Sequence, residues 1–238
     1  MRSVRLAILC AAVCVAACLF SAPAGAQRGM AARPPQHLRT IFIVRHGAYD
    51  EGDTLDEHLG RHLTDLGREQ AKLVGEYFAK LPIRIQAIYG STMTRARETA
   101  EIAGAQMGMK PELDPEICEC GPPTADTTNA YHEPAEEQER CRVTLDRAFA
   151  RYFRPSPDAD TAIVLFCHGN VERYFVCKAL GVDPAATWRK FSIINGNISR
   201  IEVRPNGRIS VVAFGEVGHL PPAMQTWNWK QKVYKEQP

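Results

Sequence analysis

Thr40-Ile41-Phe42-Ile43-Val44-Arg45-His46-Gly47 is the stretch that decides which fold the chain can adopt. Its four apolar residues, three of them β-branched, predict a short strand that is buried on both faces. Ligands of an open α/β sheet gather at the carboxyl ends of its strands, where Arg45 and His46 would lie. Arg45 offers a fork of donors suited to phosphate or carboxylate, and His46 offers a nucleophilic or basic nitrogen. The tripeptide alone is equally consistent with a strand that has a solvated basic end.

Three further blocks follow this strand, and their order is informative. They are LTDLGREQA at 63–71, STMTRARETA at 91–100 and FCHGNV at 166–171. The order and spacing of the four blocks resemble those of the histidine phosphatase superfamily, in its phosphoglycerate-mutase-like branch. The greatest similarity is to the mitochondrial phosphoglycerate-mutase-like serine/threonine protein phosphatases. The resemblance extends from about residue 40 to about residue 222.

The resemblance implies a role for two histidines and two arginines. It makes His46 a nucleophile that forms a transient phosphohistidine, and Arg45, Arg95 and His168 the groups that hold the phosphoryl oxygens. A phosphate monoester is dianionic near neutral pH, so its site must gather positive charge. Neighbouring cations also lower the pKa of a histidine, which keeps His46 neutral and nucleophilic, whereas His168 is expected to carry positive charge. No metal or other cofactor is expected, because the cationic side chains supply the charge.

A proton donor for the leaving oxygen is a further catalytic requirement. The stretch ICECGP at 117–122 resembles a Glu-Gly-Ala-Pro stretch of the mitochondrial phosphatases, and this makes Glu119 the expected acid. Glu133 and Glu136 are the alternatives. The expected catalytic set is therefore His46, Glu119 and His168.

Two other groups of residues have some features of a metal site. The acidic loop at 50–57 matches no calcium-binding spacing, so we interpret it as a solvated loop. His58 and His62 are four residues apart, but Gly60 between them favours surface histidines over a helical metal pair. The sequence therefore predicts no metal centre.

Strands alternate with helices along the chain, which predicts an α/β protein: a three-layer α/β/α sandwich with a mostly parallel central sheet. Thr64 is a good N-cap for a helix to about residue 81, and the inner face of this helix is expected to contain Leu66, Leu73, Val74, Tyr77 and Phe78. Ser91 is the expected cap of a second helix to about residue 107. Further strands are predicted at 83–89 and 161–167, further helices at 134–153 and 170–180, and a closing hairpin at 198–214. An extended segment is expected at 112–119, and a substrate-contacting loop at 121–133.

The N-terminal residues 1–26 have the features of a secretory signal peptide. Arg2 and Arg5 precede an apolar run at 6–20, and small residues follow before Gln27. These features predict an exported protein, periplasmic or secreted. A lipid anchor through Cys18 is the alternative, and only a lipidated or uncleaved N-terminus would bring the chain to a membrane. We expect 27–39 to be a flexible lead-in and 40–238 to form the phosphatase domain.

Charge and cysteine usage limit the partners and crosslinks. The chain carries 29 basic and 27 acidic residues, and the two arginines of the first 26 residues account for the whole excess. Nothing in this balance suggests a nucleic-acid-binding surface. Five cysteines follow the N-terminal segment. Cys118 or Cys120 could pair with Cys141, and Cys167 and Cys177 are expected to be core thiols.

The sequence thus predicts a metal-independent phosphatase that hydrolyses phosphomonoesters through a phosphohistidine. Its substrate would be a phosphorylated small molecule or a phosphoprotein that carries phosphoserine or phosphothreonine. One alternative is a phosphotransferase of the phosphoglycerate mutase type, and another is a non-catalytic module that binds a phosphorylated ligand. The sequence gives no prediction of oligomeric state.

Overall fold

The computed structural model describes residues 37–53, 59–125, 133–188 and 190–227. Within these residues the strands are β1 (Arg39–Arg45), β2 (Ala87–Ser91), β3 (Glu112–Asp114), β4 (Thr161–Cys167), β5 (Ile198–Val203) and β6 (Ile209–Glu216). They form one six-stranded sheet in the order β3-β2-β4-β1-β5-β6. The pairs β2–β3, β2–β4 and β1–β4 are parallel, and β5 is antiparallel to β1 and to β6. The sheet is therefore mostly parallel, as predicted.

Helices cover both faces of this sheet. The helices are α1 (Asp65–Lys80), α2 (Thr94–Met107), α3 (Ala135–Tyr152), α4 (Gly169–Leu180) and α5 (Pro184–Thr187), with short 3-10 turns at Pro115–Ile117 and Pro222–Met224. Because side chains alternate along a strand, Ile41 and Ile43 of β1 pack with α3 and α4. Phe42 and Val44 face the other way and pack with α1 and α2. This arrangement confirms the three-layer sandwich.

The register of the central strands brings three polar residues together. Arg45 at the end of β1 pairs with Cys167 at the end of β4, and Gly90 of β2 pairs with Phe166. The residues that come next are His46, His168 and Ser91, so they lie at the same edge of the sheet. Parallel pairing therefore places side chains together that are far apart in the sequence.

Two predictions about the helices were wrong. Ser91 is the last residue of β2, and α2 begins at Thr94 with Met93 as its N-cap. Leu66 is 36% exposed and lies outside the buried face of α1, which contains Gly67 together with Val74 and Phe78, both predicted correctly. The residues that face inward in the first turns of α1 are small or polar. Hydrophobic periodicity therefore assigned Leu66 to the inner face, and this assignment was wrong. Thr64 does cap α1, as predicted, and accepts a hydrogen bond from the backbone of Gly67.

A disulfide joins Cys120, which follows the turn after β3, to Cys141 of α3. Of the two pairings that the sequence left open, this is the one the structure contains, and Cys118 is a free thiol. Cys167 and Cys177 are buried free thiols, as predicted. No helix among the described residues is long and apolar enough to cross a membrane. The predictions for residues 1–36, and part of the predicted loop at 121–133, fall outside the described residues.

Candidate active site

A cavity of about 460 Å³ opens at the edge of the sheet where β1 and β4 end. The end of β1, the first turn of α2, the segment after β3 and the start of α4 all contribute to its walls. Its lining residues are Arg45, His46, Tyr49, Arg95, Glu119, Gly169, Asn170, Arg173, Trp188, Phe191 and Ser192. Four of the five residues predicted from the sequence therefore share one cavity.

Two hydrogen bonds determine the tautomer of His46. Its Nδ1 lies 2.8 Å from the carbonyl oxygen of Gly47, which can only accept, so Nδ1 must carry the proton. Arg95 donates from Nε to Nε2 of His46 at 3.0 Å, and an arginine nitrogen cannot accept in return. Nε2 is therefore the unprotonated nitrogen, and its lone pair is directed toward the Arg95 guanidinium. This is the state that a nucleophilic histidine requires.

The surroundings of His46 also keep its ring neutral. The side chain is 1% exposed, and its ring centroid lies 5.1 Å from that of His168. Burial lowers the pKa of His46 well below 6.5, and His168, Arg45 and Arg95 lower it further. A neutral imidazole at physiological pH is the form that can attack phosphorus.

The backbone that carries His46 is held on several sides. Its N–H donates to the carbonyl of Cys167 at 3.0 Å, which ties the end of β1 to the end of β4. Asn195 donates from Nδ2 to the carbonyls of His46 and Gly47 at 3.1 and 3.2 Å. A Cβ at Gly47 would overlap the carbonyl of Gly67 on α1, so glycine is required for this close approach. These contacts fix the backbone position of His46 within the fold.

The two predicted arginines line the same cavity as His46. Arg45 donates from Nη1 to the carbonyl of Ile193 at 2.6 Å, and its buried Nε has no hydrogen-bond partner among the described residues. Arg95 lies in the first turn of α2, with its guanidinium carbon 5.2 Å from the centre of the Tyr49 ring. Both side chains line the cavity and supply the charge that a phosphoryl group needs.

His168 differs from the prediction in its charge and in its position. It is fully buried and does not line the cavity, and burial, Arg95 and Arg45 lower its pKa well below 6.5. It is therefore neutral, because it is fully buried and two arginines lie nearby. Its Nε2 lies 2.9 Å from Oγ of Ser91, while its Nδ1 is buried without a hydrogen-bond partner among the described residues.

Glu119 lines the cavity, and its carboxylate contacts the start of α4. Oε1 of Glu119 accepts a hydrogen bond from the backbone of Asn170 at 3.2 Å. Burial raises the pKa of the Glu119 carboxyl above its ordinary value, against the opposing effect of Arg95, Arg45 and Arg173. A carboxyl with a raised pKa beside a phosphate site is suited to donating a proton.

The alternative acids do not share this position. Glu133 and Glu136 are exposed and do not line the cavity, and Glu136 pairs with Arg140 at 3.0 Å. His62 is one of the two histidines whose spacing resembles a metal pair. Its Nδ1 lies 2.6 Å from Oε1 of Glu98. No group of three or more potential ligands occurs among the described residues, and 54–58, which include His58, lie outside them.

Sequence reasoning missed several residues of this cavity. Arg173 and Trp188 line it from α4 and from the segment after α5, and Tyr49 lines it three residues after His46. Arg173 lies five residues after His168, one helical turn beyond the start of α4, and this spacing could have indicated it. No comparable signal marks Trp188, which approaches only through the tertiary fold.

Comparison with known proteins gives the family. The model of the histidine phosphatase superfamily (branch 1) matches residues 41–144 and 123–215. The mitochondrial serine/threonine-protein phosphatase PGAM5 of Xenopus tropicalis is 35% identical over 192 residues, which are 79% of this chain and 68% of that protein. Its human counterpart is 34% identical over 197 residues, or 77% of this chain and 64% of that protein.

Solved structures show the same fold. The phosphoglycerate mutase of Plasmodium falciparum is 27% identical, with a TM-score of 0.55 over 78% of this chain and 96% of that chain. The mycobacterial glucosyl-3-phosphoglycerate phosphatase is 19% identical, with a TM-score of 0.57 over 76% of this chain and 100% of that chain. At that identity the second likeness concerns the fold alone.

The fold and the cavity are those of an enzyme that acts on phosphoryl groups. With the comparisons added, the chain belongs to the histidine phosphatase superfamily, branch 1, and it is a phosphatase that acts on phosphorylated substrates. The prediction of an exported or periplasmic protein, with its lipid-anchored alternative, was wrong: the similar curated proteins are mitochondrial. An N-terminus with arginines and no acidic residue is common to secretory signals and mitochondrial presequences, so these features could not decide between them.

Proposed function

We propose that the chain dephosphorylates phosphoserine or phosphothreonine residues of proteins through a phosphohistidine at His46, without a metal ion. The observation that carries the proposal is the orientation of Nε2 of His46, whose lone pair lies beside Arg95 in the cavity that Glu119 also lines. Support for the substrate class comes from the relatives, which are named as serine/threonine-protein phosphatases.

In the first step, Nε2 of His46 attacks phosphorus in line with the ester oxygen. The P–N bond forms as the P–O ester bond breaks, and Glu119 gives its proton to the leaving alkoxide. Arg45 and Arg95, which both line the cavity, stabilise the equatorial oxygens. The products of this step are the free alcohol, the phosphohistidine and an ionised Glu119.

In the second step, water attacks the phosphohistidine. The Glu119 carboxylate accepts a proton from the water as the new P–O bond forms and the P–N bond breaks. Inorganic phosphate leaves, and both His46 and Glu119 return to their starting states. The same carboxyl therefore acts first as an acid and then as a base.

The experiment compares three outcomes on one phosphoserine peptide. A phosphatase releases inorganic phosphate, a mutase-type phosphotransferase transfers the phosphoryl group to an added phosphorylated acceptor, and a binding module does neither. We expect phosphate release by the wild-type chain and background release by His46→Ala. Transfer without release would indicate a mutase-type phosphotransferase, and tight binding without either reaction would indicate a binding module.

A further inference from the structure

A second cavity, of about 580 Å³, lies at the amino ends of the parallel strands, at the opposite edge of the sheet from the active site. It is lined by the first residues of four strands, which are Arg39, Ala87, Glu112 and Thr161. Arg154, which follows α3, also lines it. None of its lining residues belongs to the active-site cavity. Its volume falls in the range of about 300–1,000 Å³ that is usual for small-molecule sites.

Strand register places two polar side chains next to each other in this second cavity. Arg39 of β1 pairs with Thr161 of β4, so both side chains lie on the same face of the sheet. Nε of Arg39 and Oγ1 of Thr161 are buried, and neither atom has a hydrogen-bond partner among the described residues. Buried polar atoms without a partner are rare, because they lose their hydrogen bonds to water and gain none in return. A guanidinium N–H and a hydroxyl on neighbouring strands can both donate to one anion.

Arg39 and Arg154 bring two positive charges to the second cavity. The side chain of Arg39 makes one long hydrogen bond, from Nη1 to the carbonyl of Tyr152 at 3.5 Å. Neither arginine forms an ion pair with a carboxylate in the part of the chain that the structure describes. Burial and the charge of Arg154 lower the pKa of Arg39, and the Tyr89 phenol partly opposes them. An anion bound between the two arginines would offset their mutual repulsion.

The acidic residues of the second cavity lie at its other end. Asp114 pairs with Arg151 and accepts a hydrogen bond from the Tyr152 hydroxyl at 2.6 Å. Glu112 is on the same edge strand, β3, which β2 and β4 separate from β1. Three strand spacings put the backbones of β3 and β1 about 14 Å apart. The basic end of the second cavity is therefore at β1 and β4, away from its carboxylates.

We propose that the second cavity binds a small organic anion, whose carboxylate or phosphate group lies between Arg39, Arg154 and Thr161. The cavity is larger than the anionic group alone, so the rest of the ligand extends along Tyr89 of β2, which also lines it. Carboxylate and phosphate oxygens present the same acceptors to these three side chains. The ligand is distinct from the substrate, because the second cavity contains none of the residues around His46.

The test measures the binding of three probes that share one aromatic ring. Benzoate carries a carboxylate, phenylphosphonate carries a phosphate-like group that cannot be hydrolysed, and benzamide is uncharged. Calorimetry on the whole protein gives the Kd of each probe. We expect at least one of the two anions to bind in the second cavity and benzamide not to bind there. The anion that binds there more tightly identifies the acidic group that the cavity prefers.

Variants assign the binding to the second cavity. Arg39→Gln and Arg154→Gln should each weaken the Kd of the preferred anion by about 10- to 100-fold, the range of a charge-assisted hydrogen bond. Thr161→Val keeps the shape of the side chain without its hydroxyl and should weaken the Kd by about 2- to 10-fold. Arg84→Gln makes the same charge change at an exposed position that lines neither cavity, and it should keep the wild-type Kd. Arg154 is also exposed, so its replacement tests the site even if Arg39→Gln fails to fold.

Chemical modification locates the bound anion in the wild-type protein. Phenylglyoxal reacts with accessible guanidinium groups, and peptide mapping separates Arg154 from the arginines of the active site. The preferred anion should slow the modification of Arg154 and leave that of Arg84 unchanged. Binding that neither arginine variant weakens, with Arg154 modified at the same rate in the presence of the anion, would place the anion in the active site only and overturn the inference. Binding of neither anion, or of benzamide equally well, would also overturn it.

Discussion

At the scale of single residues, the environment of each carboxyl determines what it can do. Burial raises the pKa of both Glu119, which is partly exposed, and Glu172, which is fully buried, but only Glu119 lines the cavity. Its proton can therefore reach the leaving oxygen of a bound substrate. The exposed Glu133 and Glu136 have neither the burial nor the position.

Replacing Glu119 by glutamine should affect substrates according to their leaving groups. The alkoxide of serine needs a proton in the transition state, whereas p-nitrophenolate is stable without one. We expect Glu119→Gln to lower kcat/KM on a phosphoserine peptide by roughly 10²- to 10⁴-fold, the range of general acid catalysis, and far less on p-nitrophenyl phosphate. Both rates come from one variant, so a folding defect would lower them alike. Equal losses would exclude Glu119 as the acid.

Glu172 should make the stability of the protein depend on pH. Its pKa rises from 4.5 to about 7 on folding, so between these values the native state binds more protons than the unfolded state. Stability contributed by the neutral carboxyl is therefore lost as the pH rises through this window. Glu172→Gln is neutral throughout, and its free energy of unfolding relative to wild type should increase by up to about 3 kcal/mol between pH 4.5 and pH 8.

Urea unfolding at each pH measures this difference. Glu101→Gln removes the same charge at an exposed position of α2 and serves as the matched control. A difference between Glu172→Gln and wild type that stays constant with pH, or that decreases toward pH 8, would contradict the account.

At the scale of elements, strand pairing builds the site and helix packing keeps it rigid. The parallel pairing of β1 with β4 places His46 beside His168, and α1 presses against the segment that follows His46. A Cβ at Gly67 would overlap the carbonyl of Ala48, two residues after His46. The position of His46, the proposed nucleophile, thus depends on a helix that contributes no side chain to the cavity lining.

Gly67→Ala tests this dependence. Alanine in a helix is ordinarily favourable by about 1 kcal/mol, but here the added methyl group must displace the active-site backbone. We expect a net destabilisation of about 1–3 kcal/mol, typical of overpacking, together with a lower kcat. Thermal unfolding and steady-state kinetics measure both effects. Gly218→Ala, where a Cβ meets nothing within 4 Å, should change neither, and a stabilised, fully active Gly67→Ala would contradict the argument.

The same elements show what a sequence can and cannot reveal. The strand at 161–167 was predicted with its final bounds, because a long apolar run has few other structural solutions. His46, Arg45, Arg95 and Glu119 were expected in one cavity through the resemblance, and they lie there. The neutral state of His168 was not predicted, since it depends on the complete burial of the ring and on the approach of both arginines.

Other features depend on tertiary contacts alone. Leu66 was assigned wrongly to the buried face of α1, because glycine gives no hydrophobic signal, although Gly67 makes the closest approach. Arg173 resembles an ordinary helix-surface arginine in the sequence. Only the fold shows that the first turn of α4 directs it to the same cavity as Arg45.

At the scale of the whole molecule, arginine side chains supply the positive charge that a metal ion would otherwise supply in the proposed mechanism. Three arginines line the cavity at one end of the sheet. The chain as a whole is nearly neutral, with a formal net charge of +2. Such a site attracts and stabilises a phosphoryl group through fixed side chains. The charge is part of the fold and cannot be removed by a chelator.

Chelation and vanadate test this property. Dialysis of the whole protein against EDTA should leave kcat/KM on p-nitrophenyl phosphate within about twofold, because arginines supply the charge. Vanadate should inhibit competitively, since it adopts the five-coordinate geometry of an in-line displacement. Loss of activity on dialysis that Mg²⁺ or Zn²⁺ restores would contradict the metal-independent mechanism.

The most direct test of the account is the isolation of the phosphorylated His46 itself. Wild-type protein is mixed with ³²P-labelled phosphoserine peptide and quenched within milliseconds in alkali, in which a phosphohistidine persists. Peptide mapping should then locate the label on the peptide that contains His46, and acid should release it. His46→Ala should carry no label, while Glu119→Gln should still form the phosphoenzyme from p-nitrophenyl phosphate. Label that is stable to acid, or that remains in His46→Ala, would contradict the central claim that His46 is the nucleophile.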